Sequence, residues 1–203
     1  MAAIAVAGVG VLCLSVSVGS AAMTMGGSDE TPTPAAGAGA GGGSSTPTGV
    51  SGQYVELAFP EGTNAKYNLT PHEIYVYDDA GTNLALNTIV EVSSTHGGPN
   101  GAMAGPMAVD GDEDTFWHAL GGKSSIKIDL GAVKKIAKIE IKNNEGTGEH
   151  NGVRSIDRMA GGKAKITIYG ADGTTVVKST PEISTPGAAR YTINLTSESS
   201  VWT

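Results

Sequence analysis

The pattern of apolar and polar positions divides the chain into three stretches. Residues 2–25 contain no charged side chain and run mainly through Ala, Val, Gly, Ser and Leu. As a helix they would extend about 36 Å, enough to cross a bilayer core of about 30 Å. Residues 26–52 are almost wholly Gly, Ala, Ser, Thr and Pro. Such a segment buries too little apolar surface to offset the entropy of ordering, which predicts a flexible linker. Beyond Gln53 the period changes to two. Short runs rich in Ile, Val and Tyr recur at Tyr54–Phe59, Ile74–Tyr77, Ile126–Leu130, Ile136–Ile141, Ala164–Tyr169, Thr174–Val177 and Tyr191–Leu195. Turn signals separate them at Pro60-Glu61-Gly62, Asp79-Ala80-Gly81, Asp129-Leu130-Gly131 and Asp172-Gly173.

Alternation within the runs is regular. Ile126, Ile128 and Leu130 share one face, with Lys127 and Asp129 on the other. Ala164, Ile166 and Ile168 oppose Lys163, Lys165 and Thr167 in the same way. This is the signature of half-buried antiparallel strands, and no stretch after residue 52 carries a helical period. The expected fold is all-β: an antiparallel β-sandwich or jelly roll over residues 53–203. One transmembrane helix in residues 1–25 and the linker of residues 26–52 precede it.

Charge sharpens this division. All 13 Lys and Arg lie at or beyond Lys66, and the first 52 residues carry only Asp29 and Glu30. The apolar N-terminus therefore lacks both the basic region of a signal peptide and the flanking Lys or Arg that would orient a span. An uncleaved single-pass anchor is expected, with a signal peptide cut near the small residues Gly19–Ala22 as the alternative. A net charge of −7 argues against nucleic acid as a partner. The lone Cys13 excludes an intrachain disulfide.

The stretch Ala108–Gly131, AVDGDEDTFWHALGGKSSIKIDLG, is the most specific in the chain. Its AVDG turn, Thr115, Trp117 and closing Asp-Leu-Gly strand resemble the discoidin family, the coagulation factor V/VIII C-domain type. The resemblance runs from about Asn83 to Leu195. Asn83-Leu84-Ala85 is similar to the family's opening, IAKIEIKNN at Ile136–Asn144 to its central strand, and Arg158 with Ala160-Gly161-Gly162 to a later segment. It implies a galactose-binding-like sandwich that binds glycans, lipid headgroups or proteins and performs no chemistry. The family's closing strand pair resembles Tyr54-Val55-Glu56-Leu57 and Glu73-Ile74-Tyr75-Val76-Tyr77, which here come first. A circularly permuted sandwich follows, its N-terminal hairpin filling the slot of the final strands.

Calcium-binding relatives imply a Ca²⁺ site at the acidic turn, held by Asp110, Asp112, the Thr115 carbonyl and Glu73. The alternative is that Asp110 and Asp112 cap backbone N–H groups of a tight turn. Lectin relatives imply a glycan site at Trp117, His118 and Arg158. F-type lectins pair such a His with two Arg; here Asn143 or Asn144 stands at the first Arg position. The competing reading makes Trp117 core and His118 a hydrogen-bonded loop residue. Lys127, Lys134, Lys135, Lys138 and Lys142 form either an anion-binding face or a solubilising one. The Gly-rich loop His96–Met107 suits a protein contact. Asn68 and Asn194 head glycosylation sequons. His72, His96, His118 and His150 show no metal-ligand spacing, and no nucleophile elbow, P-loop or dinucleotide fingerprint is present.

Two functions fit. One is a membrane-anchored structural protein whose sandwich docks onto protein partners in a larger assembly. The small-residue anchor, linker and cysteine-free sandwich also resemble minor capsid proteins of large double-stranded DNA viruses, which tie an internal membrane to the virion shell. The other is a surface lectin on a flexible stalk.

Overall fold

The computed structural model describes residues 49–197 and 200–203, so the anchor and most of the linker lie outside the described residues. Among the described residues no helix is long and apolar enough to cross a membrane. These residues form ten strands in chain order: β1 (Val50–Ala58), β2 (Glu73–Tyr77), β3 (Ile89–Val92), β4 (Ser125–Ile136), β5 (Lys138–Lys142), β6 (Glu149–His150), β7 (Val153–Arg154), β8 (Lys165–Tyr169), β9 (Val176–Ser179) and β10 (Arg190–Asn194). A five-stranded sheet runs β3-β4-β1-β8-β9 and a three-stranded sheet runs β10-β5-β2, every pairing antiparallel. The all-β sandwich expected from the period is the observed fold.

Alternation builds the core. Val55 and Leu57, Ile74 and Val76, Ile126 and Ile128, Ile139 and Ile141, Ile166 and Ile168, and Tyr191 and Ile193 are all buried in one cluster. Full burial of each such side chain stabilises by about 1.5–3 kcal/mol. Their neighbours Lys127, Thr167, Glu140 and Thr192 lie at least partly in solvent.

Four details depart from the expectations. β1 begins at Val50, inside the stretch read as linker, because Val50, Ser51 and Gly52 pair with Ile136, Lys135 and Lys134. Asp129-Leu130-Gly131 does not end its strand. It forms a bulge inside β4, Gly131 taking φ +75°, and pairing with β1 resumes beyond it. The run Ile136–Ile141 is not one strand: β4 ends in the larger sheet, and after Ala137 the chain enters the smaller one as β5. Finally, β1 and β2 are no hairpin, since they lie in different sheets. A one-turn helix, α1 (Arg158–Gly161), and the short β6–β7 ribbon also form where no periodic signal stood.

Candidate functional site

Loops from separate parts of the chain surround a cavity of about 400 Å³. The β1–β2 loop contributes Lys66, Asn68 and Thr70, the β3–β4 loop contributes His96, Phe116 and His118, and α1 contributes Arg158. Main-chain bonds hold the wall in place. The His96 N–H donates to the His118 carbonyl at 2.8 Å, and the His118 N–H donates to the Met103 carbonyl at 3.2 Å. The imidazoles of His96 and His118 stack with centroids 4.9 Å apart and planes 12° from parallel. Phe116 lies 6.4 Å from His118 and 5.3 Å from His72, continuing the row of rings. Histidines that looked scattered along the sequence are thus gathered by the fold.

The polar side of the cavity is less satisfied. The Asn68 amide nitrogen bonds His118 Nε2 at 2.5 Å and donates to the Ala119 carbonyl at 3.2 Å, while its oxygen has no partner. Arg158 is 5% exposed and its Nε is buried without an acceptor. Burial lowers its pKa from the usual guanidinium value. Asn143, one of the two residues at the expected Arg position, is a clasp instead. It donates to the Ile156 carbonyl at 2.8 Å and to the Ala188 carbonyl at 2.9 Å. Asn144 does line the cavity.

Of the expected ligand residues, His118 and Arg158 face the cavity and Trp117 does not. Trp117 is completely buried, its indole N–H donating to the Ser94 carbonyl at 3.1 Å. It is a core residue, because its period places it among the inward side chains and its one polar atom is satisfied there. Sequence reasoning missed Lys66, Asn68, His96 and Phe116 as wall residues. Phe116 stands beside the motif's Trp, and that adjacency was the only available signal.

The acidic turn lies beside β2. Asp110 Oδ1 accepts the Asp112 N–H at 2.9 Å, and Asp112 Oδ1 accepts the Asp114 N–H at 2.9 Å. The Thr115 hydroxyl donates toward Asp110 Oδ2 at 3.0 Å. Turn capping is therefore real. Gly111 holds φ +84°, which a side chain would strain, and an added Cβ would also press on Leu86 at 2.9 Å. Glu73, on β2, points its carboxylate toward this turn. The residue is 0% exposed and neither carboxylate oxygen completes a hydrogen bond, although the Gly111 amide leans on it. Desolvation, reinforced by Asp110, Glu113 and Asp112, pushes its pKa up to about 8. Among the described residues no group of three His, Cys, Asp or Glu is gathered as a metal cluster. A cation here would draw on backbone carbonyls as well, and the orphaned Glu73 carboxylate is the observation that fits one.

Glu113 turns the other way. Its Oε1 accepts the Tyr75 hydroxyl at 2.6 Å and Arg190 Nη2 at 2.5 Å, and these bonds hold its pKa below the usual value. The lysines mostly find partners. Lys127 lies between the Tyr54 and Tyr169 rings, 5.2 and 4.7 Å from their centroids. Lys138 meets Glu140 at 2.8 Å, and Lys142 meets Glu145. Asn68, buried and bonded, offers no free amide to a glycan-transferring enzyme.

Among the described residues, a cysteine-free antiparallel sandwich carries a loop-walled cavity of the kind that takes ligands. The F5/8 type C domain family matches residues 88–191, half of the 203-residue chain, and the chain belongs to that family. F5/8 type C domains are a non-catalytic family, typically mediating protein and lipid interactions. No curated protein and no solved structure matches the chain.

Proposed function

We propose that the sandwich is a lectin-like module that binds a sugar in the cavity between the stacked His96–His118 pair and Arg158. One observation carries this reading: a ligand-sized cavity whose wall joins flat ring faces to buried polar atoms without partners. Trp117, between Phe116 and His118 in sequence, is tied by its indole N–H to the Ser94 carbonyl and by its main-chain N–H to the Pro71 carbonyl, which supports a positioning role. A calcium ion at Asp110, Asp112, Thr115 and Glu73 would brace the loop leading to His118. The unpartnered Glu73 carboxylate supports this placement. On a broad glycan array the full chain should give a signal that weakens when calcium is chelated and with Asp110→Ala. A blank array for the folded chain would rule the reading out.

The charge-free residues 2–25 support display from a membrane, with the Gly-rich linker as a stalk. Strands resembling the family's closing pair precede the matched residues, and they occupy the centre of one sheet and an edge of the other. That arrangement supports the permuted topology. A second reading, docking within an assembly such as a virion, is favoured by apolar side chains on the outer strands β3 and β9. There Ile89 is 78% exposed and Val176 56%.

A further inference from the structure

We infer that the cavity selects a sugar bearing a negative charge, a carboxylate or a sulfate ester. The inference rests on the sugar-binding reading of the same cavity and adds the chemical class of its ligand.

The charge distribution points this way. The chain carries 20 Asp and Glu against 13 Lys and Arg, yet among the described residues no acidic side chain lines this cavity. Lys66, His96, His118 and Arg158 all do. A basic hollow in an acidic molecule is a local reversal of field that focuses anions. Asp157, next to Arg158 in sequence, opens on a neighbouring cavity and takes Arg154 at 2.7 Å instead.

Arg158 gives the second argument. An arginine that is only 5% exposed normally has its guanidinium against a carboxylate, because an unpaired buried charge costs several kcal/mol. Among the described residues Arg158 has no ion pair and its Nε no hydrogen bond. Its planar fork suits two oxygens of one oxyanion, geometry that carboxylate and sulfate share. The Phe116 and His118 rings and Leu120 line the same cavity and offer apolar faces to a sugar ring, while the unpartnered Asn68 oxygen and the Asn144 side chain offer polar contacts to its hydroxyls. A volume of about 400 Å³ admits one or two such rings.

The test compares matched neutral and acidic glycans on the full chain: galactose with galacturonate, glucose with glucuronate, and lactose with its sialylated and sulfated forms. Each acidic member should bind about tenfold or more tightly than its neutral parent, the margin a charged hydrogen-bonded contact supplies. Arg158→Gln should reduce acidic ligands to the level of neutral ones. Lys66→Gln, at an exposed position where folding is not at stake, should cost the acidic members a few-fold and flatten their salt dependence. Preference for uronates over sulfates, or the reverse, identifies the oxyanion. Equal binding of neutral and acidic partners overturns the charge inference and leaves the sugar reading intact. An unchanged affinity in Arg158→Gln and Lys66→Gln also overturns it. Absence of any glycan binding by the folded chain overturns both, as does binding confined to phosphatidylserine vesicles.

Discussion

Glu73 is the residue at which burial and charge are most plainly opposed. Its carboxylate is fully enclosed, lacks a completed hydrogen bond and faces three further carboxylates, so the folded state holds its proton up to about pH 8. The unfolded chain releases that proton near the ordinary glutamate value of 4.5. Stability from the protonated form is thus complete below about pH 4.5 and is lost as pH rises to about 8. In chelator, thermal melts from pH 5 to pH 9 should show stability falling with pH for the native chain, a slope that Glu73→Gln removes. At pH 8.5 the variant should be the more stable, by on the order of 2–4 kcal/mol. Calcium should reverse that order by stabilising only the chain that keeps the carboxylate. A native chain with no slope would show that Glu73 is satisfied in some other way.

At the scale of elements, much of the sandwich could be read from side-chain period. Ile126, Ile128 and Leu130 announce β4, and Ile166 and Ile168 announce β8, because one-sided burial imposes alternation. Ends and sheet membership were harder. Asp-Leu-Gly has the composition of a turn, but pairing with β1 on both sides of Gly131 turned it into a bulge. The break between β4 and β5 did leave a trace, since Ile136 and Ile139 are three apart where one continuous strand would keep even spacing. The candidate site was legible where the motif is contiguous, at Asp110–His118, and at Glu73 and Arg158 through the family resemblance. Lys66, Asn68 and His96 reach the cavity from distant loops, and local pattern carries no record of that meeting. Gly52 shows how tightly the strands approach. A Cβ there would collide with the Ile168 side chain and stand 3.0 Å from the Tyr169 carbonyl. Gly52→Ala should therefore destabilise by about 1–3 kcal/mol in denaturant melts, since overpacking forces the neighbouring strand aside. No loss would mean that β8 can yield at this point.

The whole molecule depends on a strand that comes before the family's matched residues. β1 lies at the centre of the larger sheet, between β4 and β8, and Val55 and Leu57 sit in the core. A chain starting at Asn83 retains all of residues 88–191 but loses this strand and β2. It should show no cooperative unfolding transition. Moving residues 49–82 behind Thr203 through a Gly/Ser linker should restore one, because the sandwich needs the strands rather than their order in the chain. Failure of the rearranged chain to fold would count against the permuted reading.

The central position of β1 also decides how the domain bears load. A pull applied upstream of Gly49 does not peel an outer strand. It draws on Val50, whose strand is bonded along its length to β4 and over Tyr54–Ala58 to β8. Those hydrogen bonds are strained together rather than one after another, so resistance is set by the unfolding barrier and not by the modest equilibrium stability of a small sandwich. A tethered domain fed by its innermost strand stays folded under tension that would strip one attached at the edge.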